Sequence, residues 1–304
     1  MMEKLSTAHK EFIDLFYEDL SNEPIDGCDT KINLHILKIE NNRFCYSELV
    51  DNLFDNIVTY SLSRKELKLL KEKHGTAYTR AVQKLRKYEE NEGELGEILL
   101  YCFLECHLNA PKVFTKLELK TSSNEYVKGS DGVHILKIDE KNYQLVFGES
   151  KLRDKLTRAL YDSFKSIKDF IDRPDNNIND EIHLLNTNLE KEAADDELYD
   201  FLKKIIVPKA SDEEVFKDNA FGILVGFDIE IDDDIKKLEN REFREKIREK
   251  IKSEVLSRKD YIKNKINELG LRGYSFYIYA IPFTDLAETR KKAIKHLKGA
   301  SNDF

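Results

Sequence analysis

The stretch that decides the fold is Gly129-Ser130-Asp131-Gly132-Val133-His134-Ile135-Leu136-Lys137-Ile138. After the turn Asp139-Glu140-Lys141-Asn142 it continues as Tyr143-Gln144-Leu145-Val146-Phe147-Gly148-Glu149-Ser150-Lys151. Val133–Ile138 and Tyr143–Phe147 read as two strands joined by a charged turn. If segments 131–138 and 142–149 form a simple antiparallel hairpin, its midpoint is residue 140, inside the turn. Asp131 then stands opposite Glu149, with Cβ atoms about 5 Å apart. Lys151, two residues beyond Glu149, is placed by the pleat on the same face. Three ionisable side chains thus converge at one end of an otherwise apolar hairpin.

Outward from the hairpin the hydrophobic period alternates between helix and strand. On the N-terminal side, an apolar and therefore buried helix opens near Gly93 and Gly96 and carries Leu95, Ile98, Leu99, Cys102, Phe103 and Cys106. Val113 to Lys120 alternates as a strand, and Thr121 to Gly129 is a polar loop. On the C-terminal side, Leu152 to Ile171 has helical period. Residues 172–219 read as a polar insertion or lid with one helix, Asp195 to Ile206. A buried strand, Phe221 to Ile231, precedes a long charged helix from Lys236 to Leu269, which ends at Gly270 and Gly273. Tyr274 to Phe283 is the last strand, and a helix to Leu297 closes the chain. Before residue 93, the run Ile32 to Ile39 alternates as a half-buried strand after a loop at Pro24 to Gly27, in a region of strand-like runs reaching Leu62. Ser63 and Glu66 form a capping box, and Ala77 to Tyr88 is helical, with Gly75 and Thr76 ahead of it. The expected fold class is α/β, with an α+β N-terminal region over 1–92 and a core domain over 93–304.

The 304 residues carry 50 Lys+Arg against 58 Asp+Glu, a formal net charge of -8, which argues against a protein that coats nucleic acid by bulk electrostatics. A local basic cleft stays open. The longest uncharged apolar run, Ile98 to Leu104, falls far short of the ~20 residues of a membrane helix. No secretory signal opens the chain. Four cysteines in a chain of this length are no disulfide framework, so a reducing cytoplasm is the expected compartment and no membrane is expected. No P-loop is present, so the chain itself should not hydrolyse ATP.

Two carboxylates as close as Asp131 and Glu149 repel each other unless a cation sits between them. A hard divalent ion with oxygen ligands, Mg²⁺ with Mn²⁺ as the alternative, resolves this. Such an ion acidifies water, and a nearby lysine orients or deprotonates that water or stabilises developing charge. The set suits hydrolysis of a phosphodiester. An ordinary exposed Glu–Lys pair is the competing reading, and the buried run Leu145-Val146-Phe147 weighs against it. On the following helix, Lys155, Arg158, Lys165 and Lys168 flank the apolar stripe Leu156, Leu160, Phe164, Ile167 and Ile171, either as a DNA-backbone contact or as a solvated face. Cys102, Cys106 and His107 have no second cysteine pair and read as core packing rather than zinc ligands. His134 should face away from Asp131.

The order Asp, hairpin, Glu-x-Lys between two helices resembles the PD-(D/E)xK nuclease superfamily, with Ser130 where the superfamily's name has Pro. The longer string from SDGVH (130–134) through GESKL (148–152) to Ala159 and Ser163-Phe164-Lys165-Ser166-Ile167 is similar to the HamA family, the nuclease subunits of the bacterial Hachiman anti-phage system. The resemblance covers roughly residues 93–172 and thins on both sides. It implies a restriction-endonuclease-like core and cleavage of DNA, with Asp131 and Glu149 as metal ligands and Lys151 as the catalytic lysine. It also implies the Ser150 carbonyl as a further ligand and a glutamate on the preceding helix, Glu97 in preference to Glu94. The implied partner is a HamB-like helicase, with 1–92 a candidate interface. The rival readings are a stand-alone restriction or repair nuclease and a non-catalytic, helicase-binding adaptor.

Overall fold

A computed structural model describes residues 5–86, 93–119, 129–175, 177–208, 215–297 and 299. After a 3-10 turn (Lys10–Leu15) come β1 (Phe16–Pro24), β2 (Thr30–Leu37) and a two-residue pair, β3 (Ile39–Glu40) and β4 (Arg43–Phe44). Four helices follow: α1 (Tyr46–Ser61), α2 (Arg64–Leu69), α3 (His74–Arg86) and α4 (Glu94–Cys106). The middle of the chain holds β5 (Lys112–Thr115), α5 (Lys116–Leu119), β6 (Gly132–Lys137), β7 (Asn142–Arg153), α6 (Leu156–Asp172), α7 (Ile178–Glu192) and α8 (Asp196–Ile206). It closes with β8 (Phe216–Asp228), α9 (Asp233–Lys236), α10 (Asn240–Leu256), α11 (Lys259–Glu268), β9 (Ser275–Phe283) and α12 (Leu286–Leu297).

The protein is α/β. One seven-stranded mixed sheet runs in the order β1-β2-β9-β8-β7-β6-β5, with β2, β9, β8 and β7 mutually parallel and antiparallel pairs at both edges. The central parallel strands are covered on both faces, so β8 from Ala220 to Phe227 and β9 are near-continuous apolar runs. Every residue of β9 is buried. The expectation of a half-buried strand at 32–39 is corrected for the same reason. β2 lies beside β9, so Asn33 and His35 are as buried as Ile32, Leu34 and Ile36. β1 and β2, from the N-terminal region, thus belong to the same sheet as the later strands.

The β6/β7 register is the one the hairpin arithmetic requires, with Val133 opposite Phe147 and Lys137 opposite Tyr143. β7 runs six residues beyond the expected strand, through Glu149, Ser150 and Lys151 to Arg153, because β8 pairs with it along that whole length. α4 and α6 cover opposite faces. A side chain at Gly148 would meet Leu100 of α4 at 3.0 Å, whereas Phe147 packs on Phe170 of α6. α4 is buried from Glu94 to Glu105. Its leucines, Ile98 and Phe103 each contribute roughly 1.5–3 kcal/mol on burial, enough to hold its glutamates inside.

Several elements differ from expectation. β5 ends at Thr115 rather than continuing to residue 120, and the chain turns into α5; residue 120 lies outside the described residues. The stretch to Leu62 contains α1, whose Leu49, Val50, Leu53, Ile57 and Tyr60 form one buried helical face. α3 starts at His74, so Gly75 and Thr76 lie inside its first turn. The polar segment 172–219 holds α7 as well as α8, and Asn177 and Asp180 build a capping box for α7. The long helix of 236–269 is α9, α10 and α11. Ser257 and Arg258, between α10 and α11, have ψ near zero (-10° and -3°), which interrupts the helix without a Gly or Pro. The capping box at Ser63 and Glu66 is present as expected.

Candidate metal centre

Asp131 immediately precedes β6, and its amide donates to the Gly148 carbonyl at 2.8 Å. The ladder is irregular at this point, so the Asp131 side chain is not confined to the pleat. Its Oδ2 accepts from both the amide and the hydroxyl of Ser150, each at 2.8 Å. Its Oδ1 lies 3.1 Å from Lys116 Nζ. Lys116 arrives by the same logic that places Glu149. In the β5/β6 ladder Thr115 stands opposite Gly132, and the Lys116 amide extends it by donating to the Asp131 carbonyl at 3.1 Å. Lys116 is therefore the cross-strand neighbour of Asp131.

Glu97 comes from the first turn of α4. That helix approaches β7 closely at Gly96, where a Cβ would fall 3.1 Å from Ser150 Oγ. Glu97 Oε1 lies 3.5 Å from Lys116 Nζ, and Oε2 accepts from the Tyr60 hydroxyl of α1 at 3.1 Å. The Lys116 ammonium thus sits between two carboxylates, and the Asp131 charge foremost holds it protonated far above the ordinary lysine range. Glu149 and Lys151, on the α6 face of β7, pair with each other, and the Ser166 hydroxyl also bonds Glu149. Burial, with the Asp131 charge added, pushes the Glu149 carboxyl up to about 7. Asp131 goes the other way. Burial alone would raise it, but Lys116, Lys151 and the two Ser150 bonds hold it below the usual carboxylate range.

The structure gathers Glu97, Asp131, Glu149, Ser150 and Lys151 at one end of β6/β7. One detail differs from the hairpin geometry. The Asp131 carboxylate swings to Ser150 on the α4 side, while Glu149 and Lys151 point to the α6 side. Asp131 and Glu97 offer oxygen donors on the α4 side, with Glu149 across the strand on the α6 side, and the space between Asp131 and Glu97 already accommodates an ammonium. Both features suit a hard divalent cation.

A family model described as HamA matches residues 10–297 of the 304. The chain belongs to the HamA family. The matched range takes in β1 and β2 as well as the strands around Asp131, and the family carries the Hachiman defence context. No curated protein matches this HamA chain. No helix among its described residues is long and apolar enough to cross a membrane.

The basic residues of α6 are spread rather than gathered at the carboxylates. Lys155 is the N-cap, and Lys155, Arg158 and Lys165 are exposed. Arg158 pairs with Asp154 at 3.4 Å and Lys168 with Asp172 at 2.9 Å. Cys102 is buried in the core, and His134 is buried with Nδ1 2.8 Å from the Ala110 carbonyl, away from Asp131.

Reading the sequence missed Lys116, Tyr60 and Glu181. Glu181, from α7, accepts from the Ser130 amide at 3.0 Å and from its hydroxyl, anchoring the residue before Asp131. Burial foremost raises its carboxyl. Lys116 was within reach. Pairing the 113–120 strand against 132–134 places it opposite Asp131. Tyr60 and Glu181 left no sequence signal, since each reaches the site from a helix remote in the chain.

Proposed function

We propose that this HamA chain is a metal-dependent deoxyribonuclease on a PD-(D/E)xK-type core, acting with a HamB-like helicase in anti-phage defence. The observation that carries the reading is the convergence of Glu97, Asp131 and Glu149 with Lys151 at one strand end. Asp131 and Glu149, assisted by the Ser150 carbonyl and Glu97, would hold Mg²⁺ or Mn²⁺. When bound, the ion acts as a Lewis acid on a phosphodiester oxygen and lowers the pKa of attacking water. Ser150 orients Asp131 through two hydrogen bonds, and Tyr60 orients Glu97. Lys151, next to Glu149, orients the water and offsets the negative charge that develops on the phosphoryl oxygens. Lys155, Arg158, Lys165 and Lys168 would contact the DNA backbone, which positions without reading sequence. A net charge of -8 leaves little non-specific DNA affinity, and a helicase partner would supply it.

The test is digestion of plasmid and linear DNA by the purified chain with and without Mg²⁺, beside Glu149→Ala and Lys151→Ala, each with and without the co-purified helicase. Cleavage should require metal and partner and fall at least about 100-fold in both variants. Equal cleavage without the helicase would make the chain a stand-alone nuclease. Defence that survives Glu149→Ala would make it an adaptor.

A further inference from the structure

We propose that Glu18, His35 and His107 form a second metal site, for a divalent transition ion of the zinc type, at the opposite end of α4 from the carboxylates. Glu97 sits in the first turn of that helix and His107 is its C-cap, a separation of about 15 Å along the axis. Glu18 and His35 are direct cross-strand partners in the β1/β2 ladder, so their side chains share a face. His107 is carried onto that face because Phe103, one turn earlier, packs against Phe12, Phe16 and Tyr279.

One ligand atom from each of the three residues lies within 4.8 Å of the other two. Ligands about 2.0 Å from a tetrahedral centre stand roughly 3.3 Å apart, so small side-chain rotations close the set. His107 Nε2 is already 2.8 Å from Glu18 Oε1, and its Nδ1 is 3.0 Å from the Tyr279 hydroxyl. That leaves Nε2 toward the cluster, with an outer partner orienting the ring in the manner usual for ligating histidines.

His35 supplies the buried imidazole of the three. It is fully buried among Phe16, Phe103, His107 and Tyr279, and neither ring nitrogen has a hydrogen-bond partner among the described residues. Buried polar atoms are normally paired, and an ion shared with His107 and Glu18 would pair one of them. Two imidazoles and a carboxylate suit zinc rather than magnesium, with one coordination position left to solvent on the exposed Glu18 side. The ion would fasten the edge strand β1 and its neighbour β2 to the helix that delivers Glu97.

The test uses the full chain, stripped with chelator and titrated with Zn²⁺, reading metal content by mass spectrometry and thermal unfolding. Co²⁺ replaces Zn²⁺ for visible absorption. The native chain should bind one Zn²⁺ and gain roughly 5 °C in Tm at a hundredfold excess over Kd. His107→Gln and Glu18→Gln, at partly exposed positions, should fold. Each should weaken binding by more than about 100-fold, the upper end for loss of an outer-shell partner. Asp131→Asn combined with Glu149→Gln should leave Zn²⁺ binding unchanged. The proposal is overturned if the folded native chain takes up no Zn²⁺, if His107→Gln binds as tightly as the parent, or if binding disappears with the carboxylate variant.

Discussion

Lys116 is the residue on which the carboxylate site turns. Its ammonium lies 3.1 Å from Asp131 and 3.5 Å from Glu97, and it retains 18 % exposure. In the metal-free chain it supplies the positive charge that lets buried carboxylates stand together. Replacing it with an isosteric apolar side chain removes that charge and leaves the repulsion. Lys116→Met should therefore lower metal-free stability by about 2–3 kcal/mol, somewhat less than breaking a fully buried pair. It should also gain more Tm on Mg²⁺ addition than the parent, because the ion replaces the missing charge. Thermal unfolding in chelator and in Mg²⁺ checks both. A smaller Mg²⁺ response in the variant would mean that Lys116 helps the ion to bind rather than standing in for it.

At the scale of elements, the decisive contact is α4 against β7. Gly96 lets the helix approach until a Cβ there would lie 3.1 Å from Ser150 Oγ and 3.2 Å from Ser150 Cβ. Glu97 reaches Lys116 because of that approach, and Ser150 is the residue that orients Asp131. Gly96→Val forces helix and strand apart. Misplacement by about 1 Å can cost about 100-fold in rate, so DNA cleavage should fall by that order while far-UV circular dichroism stays that of a folded chain. α7 has a comparable role from the other side, since Glu181 holds Ser130 in place ahead of Asp131.

Across the whole molecule, one sheet and one main core couple the N-terminal strands to the site-bearing strands. The pH response belongs to this scale. Burial pushes His134 from 6.5 down to about 4. A histidine with a lowered folded pKa contributes stability that is fully present above its unfolded pKa and is lost as pH falls. Stability should therefore decline from pH 6.5 toward pH 4, by an amount of order 3 kcal/mol from this group. Urea unfolding at pH 7 and pH 4.5 measures it. His134→Asn keeps a donor for the Ala110 carbonyl but does not titrate, so it should narrow the difference between the two pH values. An unchanged difference would assign the acid response to other groups.

The hairpin was legible because its cues are local. A charged turn sets the midpoint, a strict two-residue period sets the faces, and Val133 does stand opposite Phe147. The buried α4 and the capping box at Ser63 were readable for the same reason, as periods and caps within a few residues. α1 and α7 also carry helical periods and were missed, the first amid strand-like runs and the second under polar composition. What the tertiary structure alone decided is non-local. The end of β5 at Thr115 depends on where β6 stops pairing with it, and the burial of β2 from Ile32 to Leu37 depends on β9, far along the chain. The partners of Glu97 and Ser130, Tyr60 and Glu181, come from helices distant in sequence. So does the meeting of Glu18, His35 and His107, which joins two adjacent strands to the end of a helix. Sequence determines a side chain's neighbours within a turn or a hairpin. Packing alone determines its neighbours across a sheet, because the entropy lost in closing a long segment of chain is recovered only by burying the core around it.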